Sequence, residues 1–164
     1  VASGDVLAIF DARMAVMPTT NYPQFVMRNL HPCLAFDTTT QETVYFEGYM
    51  PANYAGGNLV VICVWDAATA TTGTIGWDVT FERQDAGTLD VDADSFATAQ
   101  TITAATVSGT SGVRSATQVT CTAGSTGTDS VAAGDPFRLR VRRDVANDTA
   151  AGDANLVYAV VKEA

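Results

Sequence analysis

Three aspartates at alternate positions, Asp90, Asp92 and Asp94, stand between Leu89, Val91 and Ala93. On an extended segment, where side chains alternate with period two, they would converge on one side and offer oxygen ligands to a hard cation such as calcium. The calcium loop of an EF-hand asks for glycine at its sixth position and glutamate at its twelfth. Counted from Asp90 those places hold Ser95 and Thr101. A solvated acidic loop is therefore the preferred reading, with the three aspartates as a weak metal candidate. Asp144, Asp148 and Asp153 form a second, looser group that turn formation by Asp side chains explains.

Nucleophilic catalysis needs a base held beside a serine or cysteine, and His31, the one histidine, precedes Pro32 with no partner set by motif. It reads as a surface or interface residue. Cys33, Cys63 and Cys121 cannot all pair within one chain, match no zinc spacing and sit in strand-like contexts, so they read as small buried hydrophobes. No glycine-rich phosphate loop with a trailing lysine occurs. The expectation is a protein that is not an enzyme and carries no cofactor.

Sugar binding is the stronger rival chemistry, because exposed aromatic rings can stack on sugars. The candidates are Tyr49, Tyr54, Trp65 and Trp77. The tryptophans fall on the apolar sides of their strands and Tyr49 lies in an apolar run, which predicts core positions for all three. Tyr54, in a loop with Gly56 and Gly57, remains the glycan candidate. Arg138, Arg140 and Arg142, with Arg143 beside them, hold four of the chain's eight arginines. Spaced by two, the first three form a positive stripe. Two readings stay open: neutralisation by cross-strand acids such as Asp78 or Glu82, or a subunit-contact strip using the planar, multi-donor guanidinium.

These residues must be positioned by strands. Ile75, Trp77, Val79 and Phe81 alternate with polar neighbours, as do Phe137, Leu139 and Val141 with the arginines, and each run predicts a half-buried strand. Residues 59–65 are apolar on both faces, which predicts a central strand. Further strands are expected over 6–12, 43–50, 98–106, 116–122 and 156–162, with turn chemistry between them. The sum is an all-β, two-sheet antiparallel β-sandwich, of jelly-roll type, with an extended N-terminal segment. Pro18, Pro23 and Pro32 interrupt the opening, so residues 1–32 are expected to be an arm or a first strand with a long loop, and 33–164 the sandwich.

At 164 residues the chain suits one domain, and with 47% apolar and 16% charged residues it has material for a core. A net charge of −9 with a single lysine, Lys162, argues against nucleic acid as a partner. The longest apolar run is too short to span a bilayer as a helix, so no membrane partner is expected. Val1-Ala2-Ser3 opens without a basic stretch and apolar run, and is read as a mature terminus of a protein made in a cytoplasm.

A series of segments also carries a resemblance. They are Phe36-Asp37-Thr38-Thr39-Thr40, residues 46–54 ending Met50-Pro51-Ala52-Asn53-Tyr54, then Gly56-Gly57-Asn58-Leu59 leading to Trp65. Ala70-Thr71-Thr72-Gly73, Phe81-Glu82-Arg83, Asp94-Ser95-Phe96-Ala97-Thr98-Ala99 and the run from Ala132 to Asp144 continue it. In this order they resemble a family of small structural proteins of tailed, mostly marine, bacteriophages. The resemblance implies a β-sandwich of the virion, made in the host cytoplasm, often a homotrimer, with no catalytic residue transferred. It leads to a capsid decoration (cement) protein seated on the major capsid protein, many weak contacts acting together. The alternative is a tail-fibre or receptor-binding sandwich that recognises a host-surface glycan.

Overall fold

In the computed structural model, which describes residues 2–93 and 95–164, ten strands form two antiparallel sheets. They are β1 (Val6–Asp11), β2 (Gln24–Arg28), β3 (His31–Phe36), β4 (Thr43–Tyr49), β5 (Leu59–Ala67), β6 (Thr74–Arg83), β7 (Gln100–Thr106), β8 (Ser115–Cys121), β9 (Pro136–Arg143) and β10 (Ala154–Glu163). One sheet runs β2-β3-β10-β5-β8, with β1 also paired to β10; the other runs β4-β9-β6-β7. Apart from the β2–β3 and β6–β7 hairpins, consecutive strands from β3 onward cross between the sheets, the interleaving of a jelly-roll-like sandwich. Among the described residues the only helical piece is a 3-10 turn at Ala12–Met14, opened by the Asp11 carboxylate accepting from the Arg13 amide. Among the described residues no helix is long and apolar enough to cross a membrane.

Alternation builds the core. From the four-stranded sheet come Val44, Phe46, Ile75, Trp77, Val79, Phe81, Phe137, Leu139 and Val141; from the other, Leu34, Phe36, Leu59, Val61, Cys63, Trp65, Leu156 and Val161, all buried. Rings interlock across the layer: Phe10 stacks on Phe46 at 5.3 Å and Phe36 meets the Trp77 edge at 5.1 Å. Such pairs add about 0.5–1.5 kcal/mol each beyond area burial. As the doubly apolar run predicts, β5 is central, between β10 and β8.

Three expectations change. Residues 6–11 form the first strand that one of the two readings offered, but a second strand, β2, stands where a long loop was expected. β1 pairs with β10, Val16 and Asn21 bond along β4, and β2 pairs with β3. The proline pattern hid the β2–β3 hairpin, whose two-residue turn is Asn29-Leu30, both at positive φ (46° and 63°). Such turns usually advertise themselves with glycine, and here they do not. Second, β6 is buried on both faces, with Asp78, Thr80 and Glu82 all below 7% exposed, not half-buried. Third, Tyr49 is 67% exposed. The inward place beside it belongs to Gly48, where a Cβ would lie 2.7 Å from the Phe137 ring and 2.8 Å from the Phe10 ring. A glycine at a core position made the strand look continuously apolar and hid its period.

Candidate functional site

The arginine stripe lies on the outer face of β9, with β6 as its neighbour in a register that sets Arg142 opposite Asp78, Arg140 opposite Thr80 and Arg138 opposite Glu82. Arg142 Nε and Nη2 donate to the two Asp78 oxygens at 2.9 and 3.0 Å, a bidentate fork. Arg138 Nε donates to Glu82 at 2.6 Å, and Arg140 Nη2 to Thr80 Oγ1 at 3.1 Å. Phe96 covers the row, its ring 5.0 Å from the Arg138 guanidinium and 4.9 Å from that of Arg140. The Ser95 amide donates to the second Glu82 oxygen at 2.9 Å, anchoring that cover. Arg138 and Arg142 thus meet the cross-strand acids Glu82 and Asp78, while Arg140 meets a hydroxyl across the strand.

Arg143 does something different. It is wholly buried, donating to Asp148 at 2.6 and 3.3 Å and to the carbonyls of Phe36, Ala150 and Gly152 at 3.2, 3.0 and 2.8 Å. One guanidinium thus joins β9 of one sheet to the end of β3 in the other and fixes the loop between β9 and β10.

Tyr54 is buried at 5% exposure, its hydroxyl donating to the Gly57 carbonyl. Burial, with Glu163 nearby, pushes its phenol pKa up. The ring is a wall of the core, so the glycan candidate is corrected: its glycine-rich loop folds back over it. Trp65 and Trp77 are buried as expected. Asp90 and Asp92 are exposed, with the Asp92 amide donating to Asp90 Oδ1 at 3.0 Å in a local turn, while Asp94 lies outside the described residues. Among the described residues no group of three His, Cys, Asp or Glu side chains is placed to hold a metal.

The concave surface lies elsewhere, on the side of the six-stranded sheet facing away from the core. Along β10 the pairing changes partner: Leu156 pairs with β3, Tyr158 with β1, and a bulge at Val157 separates them. At that seam a hollow of about 430 Å³ opens, lined by Arg28, His31, Cys33, Asp66, Arg114 and Val157 among others. An adjoining hollow of about 180 Å³ shares His31, Arg114 and Val157 and adds Asp11, Arg13 and Tyr158. The Asn29-Leu30 turn carries Arg28 to Asp66, with Nη1 donating to the carboxylate at 2.8 Å and to the Ala67 carbonyl at 2.9 Å. The guanidinium rests on Gly112, where a Cβ would come within 2.7 Å of Nη2, and that glycine's φ of +81° suits it alone. Asn155 Nδ2 also donates to Asp66, at 2.8 Å.

His31 and Cys33 line this hollow together, an imidazole and a thiol in one cavity. Cys33 is 2% exposed and burial raises its pKa, so the thiol form is favoured and no thiolate nucleophile is prepared. His31 Nδ1 lies 3.3 Å from the Arg28 carbonyl. The arrangement offers hydrogen-bond donors and a 39% exposed tyrosine ring, a surface for binding. Arg28, Asp66, Arg114 and Tyr158 carried no sequence signal. Strict alternation puts Leu156 and Tyr158 on one face, and only the Val157 bulge turns Tyr158 outward.

No protein-family model matches the sequence, and no curated protein matches it. Solved structures share the fold. One is the CBM22-1–GH10 modules of an endo-1,4-beta-D-xylanase 10B of Clostridium thermocellum, complexed with xylohexaose, at 12% identity and a TM-score of 0.52. That match covers 99% of this chain but only 28% of that one. Another is the xylan-binding module CBM15, at 10% identity and a TM-score of 0.50, covering 96% of this chain and 97% of the module. At these identities the likeness is one of fold alone: the chain shares a β-sandwich with both.

Proposed function

We propose that the protein is a non-catalytic β-sandwich module that binds a glycan at the hollow on its six-stranded sheet. The observation that carries this is the hollow itself, about 430 Å³ with hydrogen-bonding walls and Tyr158 at the rim of its neighbour. A tyrosine that is apolar along its ring and polar at its tip suits a sugar, which has both kinds of surface. The xylan-binding module CBM15 and the xylanase modules complexed with xylohexaose, which share the fold, support the reading by analogy. The resemblance to phage structural proteins supports a place in a virion, where such binding would serve recognition of the host surface.

The test is native gel electrophoresis through soluble polysaccharides, xylan and acidic glycans among them. Retardation by at least one, weakened in Tyr158→Ala, is the expected result. Unchanged mobility across the whole panel would sink the reading.

A second reading, a cement protein seated as a homotrimer on the major capsid protein, is favoured by one observation. Beside the hollow the same sheet face carries Val6 and Ile9, more than half exposed, next to half-buried Val60, Ile62, Val64 and Val160. An aliphatic row of this kind suits a protein contact. Gold-labelled antibody on intact particles separates the two: a regular head pattern supports cementing, label confined to the tail supports host recognition.

A further inference from the structure

The charge of the hollow runs against that of the molecule. The chain carries a net −9, yet three arginines, Arg13, Arg28 and Arg114, line the two adjoining hollows against two carboxylates, Asp11 and Asp66. Both carboxylates are committed. Arg13 Nη2 lies 2.5 Å from Asp11, and Asp66 is held by Arg28 and Asn155. Elsewhere Arg83, Arg138, Arg142 and Arg143 each hold a carboxylate. Arg114 holds none among the described residues and is exposed at the mouth shared by both hollows. In a chain with twice as many acids as bases, a cation left in a concavity is set for an anion brought from outside. Acids beyond a Debye length of about 8 Å are screened at physiological salt, so the local cations decide what the hollow attracts.

We propose that the hollow takes the anionic substituent of an acidic saccharide, a carboxylate or a sulfate ester, on the guanidinium of Arg114. Arg28 and Arg13 flank it, and the Tyr158 ring receives the sugar body. The planar fork of arginine matches both oxyanions through paired hydrogen bonds. His31, whose Nδ1 is turned to the Arg28 carbonyl, keeps Nε2 for a sugar hydroxyl. This inference rests on the glycan-binding reading and adds the class of ligand to it.

The experiment is isothermal titration of the intact chain with three probes of equal length: neutral xylohexaose, a hexauronate, and a sulfated hexasaccharide. Each is repeated with Arg114→Ala and Arg114→Lys after circular dichroism confirms the fold. At least one acidic probe is expected to bind about tenfold or more tighter than xylohexaose, the gain of a charge-assisted hydrogen bond. Arg114→Ala should abolish that preference, Arg114→Lys should keep part of it, and added salt should erode it. The two acidic arms distinguish carboxylate from sulfate. Equal affinity for the neutral probe, or a preference that survives Arg114→Ala, overturns the inference and leaves the glycan reading standing. Binding of none of the three overturns both.

Discussion

The two outer faces of the sandwich both carry arginines and treat them in opposite ways. On the four-stranded sheet Arg138 and Arg142 sit one strand away from Glu82 and Asp78, paired at 2.6 and 2.9 Å, with Phe96 over Arg138. On the six-stranded sheet Arg28 reaches over the Val157 bulge to Asp66, and Arg114, beyond it, meets no carboxylate among the described residues. In the first case cation and anion spacing both follow the period of two, so register alone completes the pairs. In the second, the cations come from a hairpin end and a loop, and no register supplies a partner. Regular spacing made the first group conspicuous in sequence and also accounts for it structurally. The irregular group is the one with charge to spare.

Arg143→Ala should weaken the fold most. Removing a guanidinium that is wholly buried leaves Asp148 and three carbonyls without their donor. Breaking such a pair costs about 3–5 kcal/mol. For a chain of this size that lowers the thermal midpoint by roughly 6–20 °C, readable by calorimetry. Next in size is Glu82→Gln, which leaves one oxygen where two accepted, from Arg138 and from the Ser95 amide, and costs about 1–3 kcal/mol. Its distinctive mark is local. The Ser95 amide, which donates to Glu82 at 2.9 Å, should exchange its hydrogen faster than in the parent protein. An unchanged rate would mean that the Phe96 cover is held by something other than Glu82.

Much of the four-stranded sheet could be read from the chain, because β6 and β9 keep strict alternation and their pairing follows once they are neighbours. Trp77 was legible for the same reason, and the central β5 because its residues are apolar on both faces. What failed did so where one residue breaks the period. Gly48 occupies a core place without a side chain, so Tyr49 looked buried, and the bulge at Val157 turns Tyr158 outward. The Asn29-Leu30 turn has no glycine to announce it, and β2, β3 and the floor of the hollow were missed with it. Tyr54 misled for a converse reason, since a glycine-rich loop signals a turn but not whether it folds back on the core.

Acid separates the faces less strongly. Burial by itself would raise the pKa of Asp135, but hydrogen bonds from Arg83 Nε at 2.6 Å and the Ala132 amide at 2.8 Å outweigh it and hold the carboxyl below its ordinary range. Asp37 is held low by the Thr40 and Thr39 amides and the Thr39 hydroxyl. A carboxyl whose pKa is depressed by folding stabilises the fold above its unfolded value and loses that contribution as pH falls through the folded one. The thermal midpoint should therefore hold from neutrality to about pH 4 and decline below it. Asp135→Asn should flatten part of that decline in a pH series of melting curves.

The smallest expected effect on stability is the most informative. Arg114 is exposed and meets no carboxylate among the described residues, so Arg114→Ala should change stability by no more than about 0.5 kcal/mol. Chemical denaturation of this variant beside Arg143→Ala puts the two arginines on one scale. A guanidinium whose removal costs the fold nothing, in a chain where Arg13, Arg28, Arg83, Arg138, Arg142 and Arg143 each hold a carboxylate, is free to meet an anion from outside. If Arg114→Ala instead unfolds at markedly lower denaturant, its charge supports the 111–114 loop, and the contrast between the two faces becomes one of degree.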